Sequence, residues 1–548
     1  MQDTKEIDQG NGGYKKVHLD TILVNEIGQF GPYQLRTVLL SALVVLFIGW
    51  SASEYIFTAA RINTRCFIPE CETRELQEFS PEWVLNAIPA SGSSFDNCQR
   101  YPNVTTASGP SDTCPKDLFD RDNVVPCEEF VYENTHSVVY DFGLACDEWR
   151  RTFIGSIRNV GNFIALPITG YVSDRWGRRV LLSVSAVNAA VIGVLRYFAN
   201  TYVGFFISQV AESTFGSGGF SCAYILMMEI VGPKYRVAAG ASMNTFYAIG
   251  QVTLGFIVWA LPNWRKLTLA LYIPQFVTIS YFWILSESIR WYLSKGRYAD
   301  AEKILKKAAK VNGKQLSEKS LEALRRTVEE EKLKAEANTN ETWLVLQVLR
   351  NRQILIRAVV SPIWWITMTL VYYGLSINAV NISGNMYLNY VAVSAVEIPG
   401  YWLAVFLMER VGRKPVLMAG YWICASCQIA YIFMPDELYG VSLAVYLIGK
   451  CCISMVITSL YVYTAELYPT KYRHSLFAFS SMIGRLGSIT APLTPAMGAA
   501  IWEDFPYALF AGFALVSGFL VLITPETLGT KLPDTMEEAS DIGTKPTS

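Results

Sequence analysis

Five ionisable residues stand inside long apolar stretches: Glu54, Arg158, Glu397 (VSAVEIPGYW), Lys450 (LIGKCCIS) and Arg485 (SSMIGRLGSIT). A charge in such surroundings is costly and is a functional candidate by default. A carboxylate there can hold an ammonium group, and a guanidinium or ammonium can hold a carboxylate. The opposite signs of Glu397 and Arg485 also fit a buried structural ion pair. Tyr247, Trp364, Trp365, Tyr372 and Tyr373 add aromatic faces that attract quaternary or protonated amines. Any one of these rings also suits a lipid-facing or core position. The three histidines, His18, His136 and His474, lie far apart, and no nucleophile–base set or metal-ligand spacing occurs. The chemistry expected is therefore recognition of charged groups, without catalysis, cofactor or metal.

The elements that carry these residues read as membrane helices. A bilayer core of ~30 Å takes ~20 mostly apolar helical residues. Twelve stretches qualify, near 37–53, 151–173, 180–199, 203–227, 237–260, 267–285, 354–378, 387–408, 416–434, 439–463, 475–501 and 505–524. The 548 residues are 51% apolar and only 17% charged, against about 25% charged in an ordinary soluble protein. With 46 basic and 47 acidic residues the net charge is −1, which gives no basis for nucleic-acid binding. The expected partner surface is the lipid bilayer.

Lys and Arg concentrate in alternate loops: Arg175, Arg178 and Arg179; Lys234 and Arg236; Arg410, Arg413 and Lys414; Lys471 and Arg473. Arg265 and Lys266 are the exception on the other side. By the positive-inside rule both termini are cytoplasmic. The implied organisation is a polar segment 1–34 with no cleaved signal, a six-helix half 35–285, a cytoplasmic helical linker 286–352, a second half 353–525 and a tail 526–548. Loop 58–148 lies outside and holds Cys66, Cys71, Cys98, Cys114, Cys127 and Cys146, which reads as three disulfides with fifteen possible connectivities. Asn103-Val-Thr105 in that loop is a glycosylation acceptor, whereas Asn340-Glu-Thr342 is cytoplasmic and silent. The other five cysteines read as packing residues. Residues 299–336 read as amphipathic helices with Glu/Lys pairs three and four apart.

The chain also repeats itself. Asp174-Arg175-Trp-Gly177-Arg178-Arg179 recurs as Glu409-Arg410-Val-Gly412-Arg413-Lys414, 235 positions later. Glu229 with Lys234-Tyr235-Arg236 recurs as Glu466 with Lys471-Tyr472-Arg473, and Glu287 recurs as Glu526. Six segments per copy give parallel halves related by an axis along the membrane normal. Gly170 reads as a close-approach position, and Gly177 as a tight turn. Asp174 at a helix end can pair with Arg178, and such pairs are expected to lock the cytoplasmic side and to part when it opens. The Gly-rich run Phe215–Phe220 lies within the fourth segment and reads as close helix packing.

These residues resemble a known group. GYVSDRWGRR (170–179) and the matching 405–414 are similar to the major facilitator superfamily signature. Glu287-Ser-Ile-Arg290-Trp291 resembles a signature that follows the sixth segment in sugar porters and organic ion transporters, with Ser286 and Ile289 in place of its prolines. The Cys-rich loop, its end Ala145-Cys146-Asp147-Glu148-Trp149, and Ala465-Glu466-Leu467-Tyr468-Pro469-Thr470 resemble the organic cation, carnitine and organic anion transporters of animals, over roughly residues 20–530. The resemblance implies an all-α protein of twelve transmembrane helices in two parallel six-helix halves. It implies a plasma-membrane transporter of small organic ions, with a co-transported or exchanged ion as a further partner. The position of Arg485 looks like an aspartate in the cation branch and is basic in the carnitine and anion branches. Arg485, Lys450 and Tyr372-Tyr373-Gly374 lean toward the latter; Glu397-Ile-Pro399-Gly400 looks like the former. The mixture suggests a carnitine-like zwitterion or an organic cation. Arg485 would then meet a carboxylate, Glu397 an ammonium, and Tyr247, Trp365, Tyr372 and Tyr373 the apolar body. The alternatives are an organic anion exchanger, with Lys450 beside Arg485, and a non-transporting receptor or scaffold.

Overall fold

The computed structural model describes residues 17–542 except 76, 92–93, 105–113, 338–343, 470–471, 531–532 and 534–535. Thr105, the Asn340–Thr342 sequon, Thr470 and Lys471 fall outside the described residues.

Twelve helical segments appear. Segments 1 to 3 are Pro32–Thr58, Glu148–Trp176 and Arg178–Arg196. Segment 4 is Tyr202–Gly216 continued by Gly218–Ile230, segment 5 is Arg236–Ala260 and segment 6 is Trp264–Ile284. Segments 7 to 9 are Arg352–Asn378, Met386–Arg410 and Arg413–Ile432. Segments 10 to 12 are Tyr439–Leu467, Arg473–Thr490 with the short continuation Thr494–Ala500, and Phe505–Val521. Among the described residues, seven helices are long and apolar enough to cross a bilayer by themselves. The others are interrupted, short or interspersed with polar residues. Their starts are written in the sequence. Pro32 opens segment 1 with its fixed φ. Side chains of Asp147, Asn351 and Asn385 accept backbone N–H groups of the first turns of segments 2, 7 and 8.

Close contact between segments uses small residues. A Cβ on Gly49 would lie 2.6 Å from the Tyr247 carbonyl oxygen, and one on Gly250 2.4 Å from that of Leu46, so segments 1 and 5 cross backbone to backbone. The Gly-rich run of segment 4 behaves as expected, with Gly216 against Ala189 and Gly218 against Thr169. Gly170 does not: no atom outside its own helix lies within 4 Å of its Cβ position, so it faces open space and contributes no helix contact here.

Among the described residues, loop 58–148 carries the β-structure, three two-stranded antiparallel ribbons, including Thr64–Cys66 with Phe130–Tyr132. Its cysteines pair as Cys66–Cys127, Cys71–Cys114 and Cys98–Cys146. Arg65, fully buried, meets Glu72 through two hydrogen bonds of 2.5 and 2.6 Å. Asn103 is exposed.

The linker forms Ile289–Ser294, Tyr298–Val311 and Glu318–Ala337, with Lys306–Glu302, Arg326–Glu322 and Arg325–Glu329 pairs one turn apart. Part of the leading polar segment is ordered against it. Residues 19–27 are helical and bury Leu19, Ile22, Leu23 and Ile27, while Asp20 takes Arg236 and Arg290 at 2.6 and 2.5 Å. Those four apolar residues, spaced for one helical face, carried a signal that the dense charge around them obscured.

Candidate functional site

The two halves meet near loop 58–148, where Phe57 and Tyr390 stack edge to face at 4.7 Å. Away from that contact they enclose a cavity of about 590 Å³. It extends to Val237 and His474, in the first turns of segments 5 and 11. Tyr247, Trp365, Tyr372, Tyr373 and Arg485 all line it. Arg485 lies 12 residues beyond Arg473, about 18 Å into the helix at 1.5 Å per residue. No carboxylate among the described residues pairs with it, and Tyr373 and Tyr461 are its electrostatic neighbours.

Three rings form one wall. Trp365 meets Tyr461 at 4.7 Å and Phe477 at 5.3 Å, and Tyr461 meets Phe477 at 5.7 Å. Trp365 is anchored by its indole N–H, which donates to Thr464 at 3.2 Å. Trp364 is not part of the wall. It is fully buried against Tyr463, on the other side of segment 7, because adjacent helical residues point about 100° apart.

Glu397 and Lys450 differ from expectation. They pair with each other at 3.0 Å, both with 0% side-chain exposure, and neither lines the cavity. Glu397 also accepts from the hydroxyls of Tyr372 at 2.6 Å and Tyr401 at 2.8 Å. Gln251 of segment 5, with its amide nitrogen turned toward the carboxylate, donates at 3.2 Å and accepts from Ser53. Lys450 donates to the Tyr372 carbonyl at 2.8 Å and to Ser376 at 2.7 Å, and sits 3.6 Å from the Tyr372 ring centre. A carboxylate and an ammonium with this many partners have no valence left for a ligand. Neither side chain faces the cavity, so the expected direct contact with substrate is not available in this arrangement; Glu397 lies against Tyr372 and Tyr401 and Lys450 against Tyr372.

The N-terminal half holds charges of which the sequence singled out only two. Arg158 contacts Glu212, and Arg196 meets Glu54 at 2.8 Å and Glu212 at 3.3 Å. The Tyr272 hydroxyl donates to Glu54 at 2.7 Å. Arg158 and Glu212 line the cavity, whereas Glu54 and Arg196 are sealed behind them. Glu212 and Arg196 are not among the residues singled out from the sequence. Their signal is the same as that of Glu397, a charge within an apolar stretch, Arg196 in 180–199 and Glu212 in 203–227.

At the far end from loop 58–148, the repeated signatures build the same device twice. Gly177 (φ +99°) and Gly412 (φ +113°) turn the chain into segments 3 and 9. Glu287 accepts the N–H groups of Arg178 at 2.8 Å and Arg179 at 3.0 Å; Glu526 accepts those of Arg413 and Lys414, each at 3.0 Å. A carboxylate on the first free N–H groups of a helix satisfies them and complements its dipole. Burial raises the Glu287 carboxyl above its ordinary 4.5, against the opposing pull of those N–H groups. Glu229 accepts from Ser288 and lies 3.7 Å from Arg178, as Glu466 accepts from Thr527 at 2.6 Å and lies 3.2 Å from Arg413. Asp174, 75% exposed, reaches only Arg178, at 3.3 Å. Arg175 packs on Tyr171 and Trp176, Glu409 is exposed, Arg410 lies on the Phe406 ring, and Arg473 donates to the Tyr468 carbonyl. The ion pairs Asp174–Arg178, Arg178–Glu229 and Arg413–Glu466 each join elements of one half.

The family profile described as sugar (and other) transporter matches residues 89–538. The organic cation transporter protein of Drosophila melanogaster is 31% identical over 533 residues, covering 96% of this chain and 95% of that one. Solute carrier family 22 member 2 of Rattus norvegicus is 30% identical, covering 95% of each. The inward-open xylose transporter XylE from E. coli superposes with a TM-score of 0.62 over 93% of this chain and all of that one, at 16% identity, a likeness of fold. The chain is thus a multi-pass membrane transporter of the major facilitator fold and belongs to the sugar (and other) transporter family, among the relatives of the organic cation transporter and solute carrier family 22 proteins.

Proposed function

We propose that this protein carries small organic ions bearing a carboxylate, carnitine-like zwitterions above all, across the plasma membrane by alternating access of the central cavity. The observation that carries this reading is Arg485: a guanidinium on the cavity wall with no carboxylate partner among the described residues. The remaining cavity charges, Arg158 and Glu212, already neutralise each other. The aromatic wall of Trp365, Tyr461 and Phe477 suits a quaternary or apolar body. With Lys and Arg on the linker side, that side is cytoplasmic, as are both termini, and the cavity faces inward. Asp174, Arg175, Arg178, Arg179, Glu229, Glu409, Arg410, Arg413, Glu466 and Arg473 then form the cytoplasmic gate; the Asp174–Arg178, Arg178–Glu229 and Arg413–Glu466 pairs are intact in this inward-facing state and stay within one half, so opening does not part them, contrary to the expectation for Asp174 and Arg178. Exposed Asn103 is its glycan acceptor on the outer side.

A second reading is transport of simple organic cations, favoured by the names of two full-length relatives. Uptake of labelled carnitine, a simple quaternary amine and a dicarboxylate by cells expressing wild type or Arg485→Asp separates the two. Loss of carnitine and dicarboxylate uptake in the variant is expected. Equal uptake of carboxylates by both would sink the Arg485 assignment.

A further inference from the structure

We infer that the Arg158–Glu212 pair is a second polar pole of the cavity, which holds the end of the substrate opposite its carboxylate when that end both donates and accepts hydrogen bonds. This deepens, and rests on, the reading of Arg485 given above.

The halves carry equivalent ion pairs with reversed polarity. Glu397 and Lys450 stand 239 and 238 positions after Arg158 and Glu212, close to the offset of the repeated loops, and each pair joins the second and fourth segments of its half. The two pairs have different surroundings. Around Glu397 and Lys450, tyrosine hydroxyls, a carbonyl and Ser376 occupy the remaining valences and no atom reaches the cavity. Around Arg158 and Glu212 they do not. Both arginines converge on Oε2 of Glu212, through Nη1 of Arg158 and Nη2 of Arg196. Oε1 of Glu212 accepts no hydrogen bond and is not enclosed. Nη1 of Arg158 also donates to Gln209 at 2.9 Å, and Nε is enclosed without a partner, but Nη2 has neither partner nor enclosure. One acceptor and one donor therefore keep free valences on two contacting side chains that line the cavity.

Arg158, Arg196, Glu54 and Glu212 sum to zero charge. A simple ion of either sign gains little from such a neutral cluster. A group offering an N–H and an oxygen together gains two charge-assisted hydrogen bonds and leaves the balance intact. Primary amides and amino-acid termini (ammonium beside carboxylate) share that chemistry.

The test is the thermal stability of the purified full-length protein in detergent, titrated with glutaramate, glutamate, pentanoate and the methyl ester of glutaramate. In the wild type, glutaramate or glutamate should half-saturate at a concentration at least about tenfold below pentanoate, as expected for two added hydrogen bonds to charged groups. Whichever of the two shows the advantage tells amide from amino-acid recognition. In the charge-balanced variant Arg158→Leu/Glu212→Leu the advantage over pentanoate should shrink to about twofold or less. Should that variant fail to fold, Arg158→Lys keeps an ion pair but lacks the second guanidinium nitrogen, and should show the same loss. Equal half-saturation of all three acids in the wild type, or an advantage retained in both variants, overturns the proposal. The Arg485 reading is tested separately on the same plates: if the ester binds as well as the acid in both wild type and Arg485→Gln, that reading fails instead.

Discussion

Glu397 and Lys450 form an ion pair at 3.0 Å, wholly removed from solvent and cavity, with Tyr372 touching both partners. Removing one charge from such a pair leaves the other buried and uncompensated, which costs about 3–5 kcal/mol, whereas removing both is far milder. Lys450→Met alone should therefore lower the melting temperature and the surface amount sharply. Glu397→Gln/Lys450→Met should recover most of both. Calorimetry or fluorescence melting of purified protein, with surface biotinylation, checks this. A double variant as damaged as the single would mean that the pair acts in transport itself.

Adjacent tryptophans should behave differently. Trp365→Ala removes a ring from the cavity wall and should weaken substrate binding by about tenfold, the scale of one cation–π contact of up to ~2 kcal/mol, with modest loss of stability. Trp364→Ala empties a buried site and should cost about 3–5 kcal/mol of stability while leaving the KM of the surviving protein near wild type. Uptake kinetics normalised to surface protein distinguish the two.

The helix-capping glutamates offer a pH test. Because the Glu287 carboxyl titrates above its ordinary 4.5, the folded state holds that proton more tightly than the unfolded chain. Its favourable contribution is complete below 4.5 and is lost as pH rises through the raised value. Glu287→Gln cannot ionise, so the wild-type melting temperature should fall relative to the variant as pH rises from 4.5 toward neutrality. Glu287→Ala, which strands the Arg178 and Arg179 N–H groups, should cost about 1–3 kcal/mol, the more so at the acid end of that range. The same Ala substitution at Glu526 should cost a similar amount.

Cys98→Ser/Cys146→Ser opens a crosslink spanning 48 residues, one that ties the loop to the start of segment 2. Chain-entropy arguments put its value at about 4 kcal/mol. Reduced surface delivery is expected, and non-reducing peptide mapping of the wild type should return the three pairings directly. A different set of bridged peptides would refute the loop structure.

Much of this architecture was legible because it rests on local pattern. Apolar runs of bilayer length marked the segments, and the twin Gly-Arg loops betrayed the repeat. Cavity-facing Tyr247, Trp365, Tyr372, Tyr373 and Arg485 were legible as aromatic or charged residues in apolar surroundings. Pairing was not. Glu397 and Lys450 are 53 residues apart, and Glu54, Arg158, Arg196, Glu212 and Tyr272 come from five segments. Which of two buried charges finds a partner depends on helix rotation, and a rotation of one residue position, about 100°, decides between a ligand site and a sealed bridge. Connectivity of the six cysteines is set by the folding of loop 58–148 and has no trace in their spacing.

All three disulfides close within residues 66–146, between segments 1 and 2. No covalent bridge among the described residues reaches the second half. On the alternating-access reading proposed above, the loop is a passenger of the first half, carried as a stiff crest when the halves tilt against each other. Its position relative to segments 7 to 12 reports the tilt, and a ligand gripping both crest and second half from outside would hold the protein in the state it met.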